Sequence, residues 1–492
     1  MRKLYFFGKT IISLLLICVS IFTVAQQPRY SNEIEDKIKK VENNLSGWVQ
    51  LEGSNENSWN LQQRMQYYKI KGLSIAVIRN FKIEWVRGYG LADTATMKPV
   101  TVETLFQAGS ISKSLNGVGV LKLVQEKKID LYSDINNYLQ SWKFPYDSVS
   151  KGKKITIANL LSHTAGLTIH GFPGYKRGDT IPTLQQILDG KPPANTKAVR
   201  SVFEPGLRYQ YAGGGTTILQ VIVQDVTHQP YDVYMLNNVL TPLQMTMSSY
   251  TQPPAADKQK FLATGYLNNG IEVEKKYHVY PEQAAAGLWT NPTDLSKYII
   301  ETQLSLQGKS SKVLSQQMTK VRLTPYVDSS AALGVFITKK ATERYFGHNG
   351  ADEGFLSAYT GSFDGGNGVV VMVNSDNGKI LNEVINSVAN IYGWEDYYKP
   401  VAKRTVALPD SLLNSYVGDY VIDTDTIHIR KGQLLFIMVN NNKDTNYIYF
   451  TSSRDFFTRE FELEFTFEKD ASEKITGFKF KEGDEIVRAK RL

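Results

Sequence analysis

Between residues 105 and 131 the chain takes on a helical beat. Leu115, Val118, Leu121, Leu123 and Val124 recur at the spacing of one buried helix face. The same reading predicts helices over 33–45, 59–68, 217–227, 292–306 and 380–392. In the third of these the apolar face is Ile218, Val221, Ile222 and Val226. Runs rich in β-branched and aromatic residues predict strands at 73–79, 83–89, 332–337, 354–362 and 368–374, with a hairpin turn at Arg79-Asn80-Phe81. Strands at both ends of the segment with helices between them imply an α/β unit whose sheet joins early and late strands.

The pattern changes near 403–412. Eight short alternating runs follow, at 417–422, 426–430, 434–439, 447–450, 456–459, 461–467, 475–481 and 485–490. Turn signals at Lys431-Gly432, Asn440-Asn441-Asn442 and Glu482-Gly483 separate them. Regular short strands of this kind predict a small antiparallel barrel or sandwich. Earlier, 168–208 is loop-rich, punctuated by Pro173, Gly174, Pro182, Pro192 and Pro193, and is expected to rim a cleft.

The amino end has the form of a secretory leader. Arg2, Lys3 and Lys9 precede the apolar run 11–24, and Thr23-Val24-Ala25 offers a cut before Gln26. The run is short for a membrane span, so cleavage is preferred over a retained anchor, and the expected location is secreted or periplasmic. Cys18, the only cysteine, then leaves with the leader. Bulky Ile17 before it argues against lipidation. The mature chain has no disulfide and rests on its core. With 492 residues and 42% hydrophobic content, there is enough chain for two domains: 26–400 and 401–492 after the leader 1–25. The leader carries three of the 56 basic residues and none of the 48 acidic ones, so the charge falls from +8 to +5. Basic residues are scattered, so no nucleic-acid partner is expected. The six histidines are isolated and no metal-ligand spacing occurs, so no metal or other cofactor is expected.

Three stretches carry chemistry. Ser110-Ile111-Ser112-Lys113 opens the helix of the first pattern. Residues three apart share a face, so hydroxyl and amine can meet there, and a helix start favours developing negative charge. Serine needs a neighbouring base to become a nucleophile. Two further Ser-x-x-Lys copies, Ser148–Lys151 and Ser150–Lys153, lie in a polar run with no apolar period and read as exposed loop. The second stretch, Tyr209-Gln210-Tyr211-Ala212-Gly213-Gly214-Gly215, sets a tyrosine before a glycine-rich turn and a helix. If its hydroxyl meets Lys113, it serves as a general base. In the third, Gly347-His348-Asn349-Gly350-Ala351-Asp352-Glu353 leads into a strand whose edge amides suit an oxyanion. Asp352 and Glu353 read as a solvated acidic pair, or as a grip for a cationic substrate end. His163, in Ser162-His163-Thr164, reads as a structural histidine bonded within its turn.

Together the stretches resemble the serine β-lactamase and penicillin-binding-protein superfamily. The nearest group is that of class C β-lactamases, D-alanyl-D-alanine carboxypeptidases, D-aminopeptidases and related esterases, with Ser-x-x-Lys, Tyr-x-Asn and Lys/His-x-Gly motifs in this order. Gly72-Leu73-Ser74-Ile75-Ala76-Val77, Leu160-Leu161-Ser162-His163-Thr164-Ala165-Gly166-Leu167, Pro242-Leu243-Gln244-Met245 and Ala286-Gly287-Leu288-Trp289 look like further landmarks of it. The resemblance covers roughly residues 30–395, and the tail resembles an appended lipocalin-like domain. It implies an α/β fold, an antiparallel sheet flanked by helices plus a helical region, followed by a small antiparallel β-barrel. It implies Ser110 as nucleophile, Lys113 and Tyr211 as proton acceptors and shuttle, and the amides of Ser110 and Ala351 as oxyanion hole. His348, Asn349 and Gly350 then line the substrate site.

The chain departs from the family pattern at two points. Tyr211-Ala212-Gly213 lacks the asparagine, and His348-Asn349 replaces the more common lysine and threonine or serine. Both shift weight from β-lactams toward esters or peptides. Literal Tyr-x-Asn matches at Tyr30-Ser31-Asn32 and Tyr266-Leu267-Asn268 lie in the wrong order or context. The expected activity is a serine hydrolase that cleaves an amide, peptide or ester bond of a small molecule or peptide through an acyl-enzyme. A β-lactamase and a non-hydrolytic penicillin sensor are the alternatives.

Overall fold

A computed structural model describes residues 28–54, 57–422, 425–432, 434–439, 446–460, 463–482 and 485–492. The leader 1–25 and the turn 440–442 lie outside the described residues.

Seven antiparallel strands form the main sheet. In spatial order they are Lys98–Pro99, Lys82–Asp93, Gly72–Arg79, Gly368–Val373, Phe355–Ser362, Glu343–Asp352 and Phe336–Lys340. Early and late strands meet where Val371 faces Ile75, as the hydrophobic pattern implies. Alternation along these strands feeds two separate cores. Ile75, Val77, Val369 and Val371 pack with Ile38, Val41, Ile380 and Val384 of helices Asn32–Glu42 and Lys379–Ile391. Ala76, Ile78, Val370 and Met372 face the other way, toward Leu295 and Ile299 of helix Pro292–Leu306. That second core runs on into the helical region, which is built on helices Ser112–Gln125 and Gly213–Thr227.

Most predicted elements appear within a few residues of their expected bounds. The run 332–337 is an exception, because its strand is Phe336–Lys340. Gly334, at φ +81, turns the chain so that Leu333 and Val335 are both buried in one bend, and Ala332 N–H bonds Val335 O. Pairing of Val49–Leu51 with Val401–Lys403, in a parallel ribbon, has no sequence signal beyond three residues of β type.

The tail forms a nine-stranded antiparallel sheet, in which seven strands from Gly418 to Arg491 make up most of the barrel wall. Its end strands, Asn446–Tyr447 and Tyr449–Phe450, are consecutive in the chain, so the barrel is nearly closed. Its interior is filled with rings. Tyr416, at the end of the unexpected short helix Asp410–Tyr416, stacks on Phe467 at 4.1 Å, and Phe456 stacks on Phe467 at 4.6 Å. Polar contacts hold the tail to the body. The Arg459 guanidinium lies over the Trp59 ring at 4.3 Å, Val49 N–H donates to Arg459 O at 3.2 Å, and Lys379 Nζ donates to Asn446 Oδ1 at 2.8 Å. Because Phe467 is fully buried at the centre of this stack, Phe467→Ala is expected to cost about 3–5 kcal/mol. Urea unfolding followed by near-UV circular dichroism measures it.

Candidate active site

Ser110 sits in a single 3₁₀ turn, Gly109–Ile111, that runs directly into helix Ser112–Gln125. The turn is bolted at several points. Ala108 N–H donates to Leu288 O (2.8 Å), Leu288 N–H donates to Ser112 Oγ (3.0 Å), and Ser112 Oγ donates to Gly109 O (2.6 Å). Tyr250 and Ser357 hydroxyls bond the Ser112 and Ala108 carbonyls at 2.7 and 3.0 Å. One helical turn on, Lys113 is 3% exposed, and its Nζ donates to Ser110 Oγ at 2.9 Å and to Ala285 O at 2.7 Å.

The strand Glu343–Asp352 crosses over this turn. Gly109 adopts φ +51, and a Cβ there would lie 2.4 Å from Ala351 N. A Cβ on Gly350 would lie 1.9 Å from Ala108 O. Only glycine at both positions allows this backbone approach. The neighbouring strand pairs only as far as Gly347, and residues 348–351 border the cleft. Ser110 and Ala351 thus face a common cavity of about 480 Å³, also lined by Tyr211, His348, Asn349 and Gly350.

Tyr211 lies between two imidazoles. Its ring is 4.2 Å from His163 and 4.8 Å from His170, and Lys113 Nζ is 5.2 Å from its centroid. His163 also fixes the backbone on both sides of the tyrosine. Its carbonyl accepts Gln210 N–H at 2.8 Å, and its Nδ1 accepts Ala212 N–H at 3.3 Å. Its hydrogen bonds therefore run to the Tyr211 segment rather than within its own turn, and they orient Tyr211. Burial, and then the nearby Lys113, push its pKa far down, so the ring is neutral. The three glycines after Tyr211 are the first turn of a helix rather than a loop. Gly214 packs against Val199.

His348 is buried and neutral as well. Burial and then Lys113 lower its pKa to about 3. Its Nδ1 donates to Asn349 O at 2.6 Å, and Nε2 has no partner. Asp352 is not solvated. The pleat turns it inward beside the nucleophile turn, where burial raises its pKa well above the carboxylate range. Glu282, just before the short helix Gln283–Ala286, is buried too, with both carboxyl oxygens unpartnered and its pKa raised to about 8 by burial.

The structure gathers every predicted site residue at one cleft. It also adds His170, Tyr209, Phe336, Leu381 and Asn382 to the wall. These come from four separate segments; Tyr209 belongs to the stretch before the three glycines and His170 to the loop-rich run, while nothing local in the sequence marks Phe336, Leu381 or Asn382. The rejected motif copies behave as background. Lys151 and Lys153 pair with Glu204 at the surface, and the Tyr266 hydroxyl is tied to Thr94.

A serine turn at a helix start, a buried lysine and a crossing strand edge, on an antiparallel sheet flanked by helices, define the β-lactamase and penicillin-binding class of α/β protein. The family model described as Beta-lactamase matches residues 60–389, and the chain belongs to that family. Protein flp of Staphylococcus aureus strain N315 is 24% identical over 373 residues, spanning 74% of this chain and 70% of that one. The putative penicillin-binding protein PbpX of Bacillus subtilis strain 168 is 24% identical over 407 residues, spanning 80% and 96%. Among solved structures, the octameric penicillin-binding protein homologue from Pyrococcus abyssi shares the fold, with a TM-score of 0.59 and 19% identity over 87% of this chain and 98% of that one.

Glu282 gives a stability prediction. A folded-state pKa raised from 4.5 to about 8 means the stability is present below the unfolded value and is lost as pH rises toward 8. Glu282→Gln removes that loss. Its melting temperature should exceed that of the parent by more at pH 8.5 than at pH 5, measured by differential scanning fluorimetry.

Proposed function

We propose that the protein is an exported serine hydrolase that cleaves an ester, amide or peptide bond through a seryl acyl-enzyme. The observation that carries this reading is the buried Lys113 amine 2.9 Å from Ser110 Oγ at a helix start. In the reaction Lys113 and Tyr211 relay the Ser110 proton while Oγ adds to the substrate carbonyl. The oxyanion forms between the Ser110 and Ala351 amides. Tyr211, held by His163 and His170, delivers a proton to the leaving group, and water then releases the acyl group from Ser110. Domains at 26–400 and 401–492 divide hydrolase from barrel, and the leader at 1–25 supports a secreted or periplasmic location.

A second reading, a penicillin-binding module that acylates and deacylates slowly, draws support from the name of the B. subtilis relative. A β-lactamase is disfavoured by Gly213 in the asparagine position and by neutral His348.

Intact mass after treatment with a fluorophosphonate, beside Ser110→Ala, tests the acyl-enzyme reading. A single stoichiometric adduct that is absent from the variant is expected. No adduct on the folded protein overturns the reading. Lys113→Ala should slow labelling by about 10²–10⁴-fold. A persistent fluorescent-penicillin adduct would favour the second reading.

A further inference from the structure

The cleft walls narrow the substrate class, and this argument rests on the acyl-enzyme reading. Among the described residues, no Lys, Arg, Asp or Glu lines the cavity beside Ser110. The nearby Lys113 is buried and engaged with Ser110 and Ala285. His348 directs its Nδ1–H to Asn349 O, which leaves its Nε2 with no hydrogen to donate to a carboxylate. A helix start is another common anion site, but at helix Gly213–Thr227 the Gly213 and Gly214 amides already donate to His170 O and Ile169 O at 3.0 and 3.1 Å.

The side-chain amides of the cleft stand on the opposite wall. At Gly213 a Cβ would meet His170 O at 3.0 Å and Phe172 Cε2 at 3.2 Å, so the corner that holds an asparagine in the family motif is closed. Across the cleft, Asn349 and Asn382 are exposed, and their side-chain amides make no hydrogen bond among the described residues. Both also line an adjoining cavity of about 240 Å³ that continues past Thr338 and Thr360, so one passage runs away from Ser110 between the strand Glu343–Asp352 and helix Lys379–Ile391. An asparagine side chain offers a donor and an acceptor, which match the carbonyl and N–H of a substrate amide. Phe336, Leu356 and Leu381 supply apolar wall beside them.

We infer that the cleft selects an uncharged acyl group carrying an amide, an N-acylated or peptide-like ester or amide, which Asn382 and Asn349 hydrogen-bond, and that it turns away acyl groups bearing a carboxylate.

The test uses the full chain and three 4-nitrophenyl esters of similar length: hexanoate, 3-acetamidopropanoate and the adipate monoester, with nitrocefin as a carboxylate-bearing β-lactam. The expected order of kcat/KM is acetamido over hexanoyl over adipoyl, with nitrocefin slowest. Asn382→Ala should lower the acetamido-to-hexanoyl ratio by about five-fold, the worth of one neutral hydrogen bond, mainly through KM. His348→Lys should raise the adipoyl-to-hexanoyl ratio by restoring a cation. Fastest turnover of the adipate ester or nitrocefin overturns the inference, and so does an acetamido-to-hexanoyl ratio that Asn382→Ala leaves unmoved. Turnover that survives in Ser110→Ala instead overturns the acyl-enzyme reading on which the inference rests.

Discussion

The approach of the Ala108–Ser110 turn to the backbone of Ala351 and Gly350 is the constraint around which the rest is arranged. Two glycines permit it: a side chain at either would drive the turn off the strand. The sheet supplies the strand, helix Ser112–Gln125 supplies the turn, and Leu288 and Ser357 hold the two together from opposite sides. The placement of a serine hydroxyl beside a strand edge is therefore a property of the whole tertiary fold. The 3₁₀ turn is too short to hold that geometry by itself.

Electrostatics follow from the same burial. Lys113 is enclosed with only neutral hydrogen-bond partners, and the surrounding histidines are kept neutral by burial and by the lysine itself. The carboxyl groups nearest the turn, Asp352 and Glu282, are held toward their protonated forms by burial. The cleft that results is lined by aromatic rings, imidazoles and amides, and its hydrogen-bonding groups stand on the wall away from the Tyr211 helix.

Much of this is legible in the sequence because the responsible patterns are local. Helical spacing after Ser110 separates the Ser-x-x-Lys at the cleft from its two surface copies, and the β-branched, near-continuously apolar runs at 73–79 and 368–374 mark strands that pair at the centre of the sheet. What the sequence hides is decided by tertiary contact. Asp352 looks like a solvated acid beside Glu353 until the pleat turns it inward. Asn382 is one polar position on an amphipathic helix, and only the packing of that helix against the sheet brings it to the cleft. The strand expected at 332–337 slides to Phe336–Lys340 because Gly334 folds Leu333 and Val335 into one bend. The barrel was legible as a rhythm of short strands, but its stacked ring interior depends on which faces meet.

The most direct measurement is a crystal structure of the phosphonylated protein. The account predicts phosphorus on Ser110 Oγ, with its free oxygen about 3 Å from both the Ser110 and Ala351 backbone nitrogens. A phosphonyl group on another residue, or one whose oxygen points away from Ala351, would contradict it.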